Sequence, residues 1–133
     1  TINVPEIMGI SAGIDYVNRL GTDRLYTHEL GLTAMLWTEL SKMPHIKLYT
    51  NKPEPYAFAP VISFNVKGKK SAETAAYLNE KGIAVRGGLH CAPFAHRQIG
   101  TLESGTVRAS ASAFNTPYDI AALVSALKNV NFI

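Results

Sequence analysis

A guanidinium, an imidazole and a thiol stand within six residues of one another in the run Arg86-Gly87-Gly88-Leu89-His90-Cys91. Cys91 is the only cysteine in the chain. A thiol is nucleophilic as its thiolate; nearby positive charge favours that form, and burial among apolar groups disfavours it. The competing reading is a small buried hydrophobe, the commoner fate of a free cysteine. Two glycines before Cys91 and Pro93 after it favour a turn, and hence an exposed thiol. A second guanidinium, Arg108, lies in Val107-Arg108-Ala109-Ser110-Ala111-Ser112. Its small neighbours leave room for a bidentate grip on a carboxylate. Such an arginine equally suits a surface ion pair, and the residues alone leave both open. His90, Cys91 and His96 follow no zinc spacing, so no metal site is expected.

These groups need a scaffold, and 133 residues suffice for one domain with a real core. The chain is 47% hydrophobic and 17% charged, with a formal charge of +3. Lys67, Lys69 and Lys70 form its basic cluster, but no aromatic residues interleave them, so nucleic-acid binding is not expected. No apolar stretch approaches the ~18 residues of a membrane span, so no membrane partner is expected either. One cysteine excludes an internal disulfide and points to a reducing, cytoplasmic setting.

The elements follow from periodicity and punctuation. Asn3-Val4-Pro5 opens a helix carrying Ile7, Ile10, Ile14 and Val17, which Gly21 ends. Thr22 or Asp23 caps a second helix with Leu25, Leu32, Leu36 and Leu40 on one face, closed by Pro44. Leu30, Met35 and Trp37 lie off that stripe, which predicts a second apolar surface and self-association, most simply as a two-fold dimer. Strands are expected at residues 46–49, 61–66, 83–86 and 106–111. A helix capped by Ser71 and ended by Gly82 separates the middle two, and a short helix is expected at 93–99. Thr116-Pro117-Tyr118-Asp119 has capping-box spacing before a last helix carrying Ile120, Leu123, Val124, Leu127 and Val130. The fold class is therefore α/β, of the two-layer α+β kind: a small mixed or antiparallel sheet of three to four strands with helices mainly on one face.

Taken together, Arg86-Gly87-Gly88-Leu89-His90-Cys91-Ala92, Gly105-Thr106-Val107-Arg108-Ala109-Ser110 and Phe114-Asn115-Thr116 resemble the C-terminal segment of cysteine desulfurases. These are pyridoxal-phosphate (PLP) enzymes of the class V aminotransferase family. The opening Thr1-Ile2-Asn3-Val4-Pro5 resembles the stretch where that family's chain leaves its large cofactor domain. The resemblance implies that residues 1–133 are the C-terminal small domain of a longer fold-type I enzyme, with residues 1–20 a linking helix. It implies that Cys91 takes sulfur from cysteine as a persulfide, leaving alanine. It further implies that Arg108 grips the substrate carboxylate, that Arg86 and His90 lie at the same substrate site, and that Thr1 reaches the cofactor phosphate of a partner subunit. A homodimer and a sulfur-acceptor protein are implied partners. The family's Schiff-base lysine follows a histidine, and no His-Lys pair occurs here. The isolated chain is therefore expected to be inactive and to bind no PLP. Another class V activity, an aminotransferase or a selenocysteine lyase, and a non-catalytic α+β binding module are the alternatives.

Overall fold

The computed structural model describes residues 1–130. Helices α1 (Val4–Leu20) and α2 (Thr22–Ser41) lead into strands β1 (Ile46–Leu48) and β2 (Val61–Val66). Helix α3 (Ser71–Glu80), strand β3 (Arg86–Gly88), helix α4 (Pro93–Gln98), strand β4 (Thr106–Ser110) and helix α5 (Pro117–Lys128) follow. The sheet order is β1-β2-β4-β3, and every pairing is antiparallel. No parallel pair occurs among the described residues, so of the two sheet types expected the antiparallel one forms. Among the same residues no helix is long and apolar enough to cross a membrane.

Alternation along the strands separates two faces. Ile62, Phe64 and Val66 of β2 and Val107 and Ala109 of β4 are buried and share one core with Leu36 and Leu40 of α2, Leu78 of α3 and Leu123 and Leu127 of α5. Polar tips tie the elements together as well: Tyr77 of α3 donates its hydroxyl to Ala126 O of α5 at 3.2 Å, and Nε2 of His45, between α2 and β1, lies 3.0 Å from Leu127 O. The opposite face of β2 and β4 presents Ser63 and Arg108, which are cross-strand neighbours.

Local chemistry explains where the elements begin. Asn3 accepts from Glu6 N–H at 3.4 Å and caps α1. Asp119 accepts from Thr116 N–H at 2.7 Å and Thr116 Oγ1–H at 3.1 Å and closes the cap of α5, as the spacing suggests. Three starts differ from expectation. Gly21, in the left-handed region at φ 82°, is the N-cap of α2, so neither Thr22 nor Asp23 caps it. Lys70 is the N-cap of α3, and Ser71 is already helical. The third strand begins at Arg86, because residues 83–85 run in without pairing and Gly87 and Gly88 belong to the strand.

α1 is the outlier. None of its residues is buried, and Ile7, Met8, Ile10 and Ile14 are all exposed. It touches α2, and its C-terminal end is marked by Tyr16, whose ring stacks on Phe114 at 5.5 Å. Trp37, expected off the core stripe, instead packs against the core and donates Nε1–H to Thr50 O at 3.1 Å. Met35 remains exposed.

Candidate active site

Four of the residues singled out by sequence are carried by β3, β4 and the turn between β3 and α4. Arg86 and Arg108 are register partners across the β3–β4 pair, so both side chains leave the sheet on its open face. Like charges directly opposite one another are unfavourable. Among the described residues neither guanidinium has an ion-pair or hydrogen-bond partner. Arg86 is exposed and Arg108 half-buried. Two unneutralised guanidiniums side by side are suited to hold an anion, and a carboxylate matches their geometry.

Cys91 is exposed, as expected from its flanking residues. The turn that presents it is not made by glycine. Ala92 N–H donates to Leu89 O at 2.8 Å, closing a four-residue turn with His90 and Cys91 at its centre. His90 has φ 52° and Cys91 φ 60°. Two consecutive left-handed residues closed by such a bond are the mark of a type I′ turn, a place for Asn-Gly. A side chain in this region costs on the order of 1–2 kcal/mol. The tip of the loop therefore carries strain at the residues with chemical potential.

His90 is fastened. Its Nε2 lies 2.9 Å from Thr106 O. A carbonyl only accepts, so Nε2 carries the proton and Nδ1 is the bare acceptor. Nδ1 is buried and has no partner among the described residues. Burial holds the His90 pKa below its ordinary value; the Thr106 bond opposes this, and the charges of Arg108, His96 and Arg86 add to the lowering. His90 is thus a neutral fixed donor, which ties the Cys91 turn to the first residue of β4. The ring of His96, buried in α4, sits 5.8 Å away and is itself bonded to Thr101 Oγ1 at 2.7 Å.

Thr1 is not part of this cluster. It is exposed and precedes the 17-residue α1, which packs on α2. The cavity of about 360 Å³ bounded by Leu36, Ile83, Val85, Ala109, Ile120 and Leu123 lies against the helix-covered face and includes none of the four clustered residues.

The class V aminotransferase model matches residues 1–123. The chain belongs to that family. Within it, the chain is 36% identical over 130 residues to a probable cysteine desulfurase of Xylella fastidiosa, covering 98% of this chain and 30% of that protein. It is 33% identical over 125 residues to a probable cysteine desulfurase of Synechocystis sp., covering 94% of this chain and 29% of the relative. The apo cysteine desulfurase of Thermococcus onnurineus superposes with a TM-score of 0.88 at 30% identity, over 96% of this chain and 31% of the other. The chain therefore spans about a third of the length of the relatives it matches.

Asn65 went unmarked by sequence reasoning, and Asn115 was marked only as part of a motif; both hold the surroundings of this cluster. Asn65 is buried, donates to Gly105 O at 2.8 Å and accepts from Val107 N–H at 3.2 Å. Its only signal was a place beside Ser63 as one of two polar residues in the strand 61–66. Asn115, part of the Phe114-Asn115-Thr116 motif, accepts from Ser112 N–H and Ser112 Oγ–H at 3.0 Å each. That motif shapes the turn from β4 into α5.

Proposed function

We propose that this chain is the sulfur-accepting small domain of a PLP-dependent cysteine desulfurase. The observation that carries the reading is the pairing of Arg86 with Arg108 on an open sheet face beside an exposed thiol at the tip of a strained turn. The residues present fit one half of such a centre. They offer an anion grip and a nucleophile, but no His-Lys pair to anchor a cofactor. The anchoring lysine is then supplied by a further domain of a longer chain, in keeping with the length of the relatives.

PLP, when bound to that domain, withdraws electrons from the substrate cysteine and makes its sulfur open to attack. Arg108, half-buried in a strand bonded on both sides, holds the substrate carboxylate, and Arg86 adds a second positive charge. Cys91 as thiolate attacks the substrate sulfur. The new S–S bond forms as the substrate C–S bond breaks; the bonding pair stays on the carbon, which takes a proton to give alanine, and Cys91 is left as a persulfide. His90 donates to Thr106 O and orients the turn. Thr1, at the far end of α1, is assigned to the cofactor phosphate of a partner subunit in a homodimer. A cytoplasmic setting, where thiols stay reduced, suits an exposed catalytic cysteine, and a sulfur-acceptor protein relieves Cys91 of its extra sulfur.

The test uses the full-length, PLP-loaded protein. Cys91→Ala should abolish sulfur transfer from L-cysteine while PLP stays bound. Arg108→Ala should raise KM for cysteine by roughly 10- to 100-fold, the loss of one charge-assisted contact. Undiminished sulfur transfer in the cysteine variant would refute the reading.

A further inference from the structure

We propose that Ser71 is a positioning residue of this site: its hydroxyl ties the end of β3, which leads to Cys91, to the turn that leads into Arg108. The inference rests on the desulfurase reading for its functional arm only. Ser71 is buried and begins α3. Its Oγ donates to Ser104 O at 2.6 Å and accepts from Gly88 N–H at 3.1 Å. Its own N–H donates to Ser104 O at 3.1 Å. One side chain thus bonds segments 17 and 33 residues away, directly ahead of the nucleophile and of the carboxylate-binding strand.

The backbone around Ser71 is packed too closely for any side chain. A Cβ on Gly87 would lie 2.6 Å from Ser71 O, and a Cβ on Gly105 would lie 2.6 Å from Ser71 Oγ and 2.8 Å from the Gly88 backbone. Gly105 also has φ 62°. Both glycines are therefore required by the approach of Ser71, a reason for glycine that turn chemistry alone does not supply. From the other side, Asn65 holds Gly105 O and Val107 N–H. The turn before β4 is thus gripped twice, and Ser71 extends the grip to β3.

The two arms of this clamp differ in what they depend on. Arg108 sits in β4, laddered to both β2 and β3, and keeps its place without Ser71. Cys91 follows a three-residue edge strand whose outward Gly88 N–H is satisfied by Ser71 Oγ. Loosening the clamp therefore displaces the nucleophile more than the carboxylate grip, and even a small displacement is costly to an attack that needs aligned atoms.

Ser71→Ala is a smaller residue in a helix, so the fold should persist. In this chain, hydrogen exchange of the Gly88 amide should quicken about tenfold in Ser71→Ala, while the amides of Leu78 and Val107 stay as protected as before. In the full-length PLP-loaded protein, the same substitution should lower kcat about tenfold with KM for cysteine within roughly twofold. An unchanged Gly88 amide, or protection lost equally across the core, would overturn the proposal. So would quickened exchange at Gly88 with kcat intact. If the Ser71 protein itself shows no desulfurase turnover, the functional reading fails, and exchange at Gly88 still decides whether the clamp exists.

Discussion

On the helix-covered face of the sheet, Ile62, Phe64 and Val107 are wholly buried and meet Leu40, Leu78 and Leu127 from three helices. On the opposite face of the same strands, Arg108 stands beside Arg86 with no counter-ion among the described residues, next to a turn whose two central residues are left-handed without being glycine. A buried imidazole nitrogen there lacks a partner among the described residues. Local and tertiary preferences agree on the first face and conflict on the second. Such conflicts concentrate where chemistry is done, because the surrounding structure must overrule them. The residues that do so bind the backbone of neighbouring segments: Ser71, Asn65 and the His90 Nε2–H donor.

The contrast makes a sharp demand on mutagenesis. Phe64→Ala should cost about 3–5 kcal/mol in denaturant unfolding, the loss of a fully buried aromatic plus its cavity. Arg108→Ala, one residue along the same pair of strands, should cost little or nothing. Equal losses from the two would erase the distinction between a packed face and a working one.

The turn should respond in the opposite direction. Cys91→Gly removes the side chain that strains a residue at φ 60°, so the folded chain should gain about 1 kcal/mol. The same variant should lose all sulfur transfer. A destabilised Cys91→Gly would mean that the turn holds no strain.

A smaller gain is expected from Arg86→Gln. Removing one of two opposed charges should stabilise the chain by a few tenths of a kcal/mol, roughly 0.2–1 at most. The gain should shrink as salt rises, because exposed charges are screened.

The smallest effect concerns pH. The folded-state pKa of His90 lies below its ordinary value, chiefly through burial. The unfolded chain therefore binds more protons than the folded one as pH falls through the histidine range near about 6.5. His90 should thus erode stability on acidification and restore it as pH rises. His90→Gln should flatten that slope, and a slope left unchanged would remove His90 as its source.

Much of this molecule could be read from its residues. The leucines of α2, the apolar alternation of β2 and β4 and the capping box of α5 each state their element locally. The four clustered site residues were visible as chemical types near Cys91 and on a later strand. What stayed hidden depended on approach in space. Gly87 read as a turn residue, but it and Gly105 are clearances around Ser71. Ser71 read as a helix cap because serine so often is one. The like-charge pair could not be seen before the register was known, since a shift of one residue would put Arg108 on the other face.

On the proposed reading, Cys91 receives the sulfur. Full-length, PLP-loaded protein should be mixed with one equivalent of L-cysteine, quenched with a thiol-blocking reagent and analysed by peptide mass spectrometry. We expect one additional sulfur atom on the peptide containing Cys91, formed together with an equal amount of alanine. Alanine formed without any added sulfur on that peptide, in the absence of an acceptor, would rule out Cys91 as the sulfur acceptor.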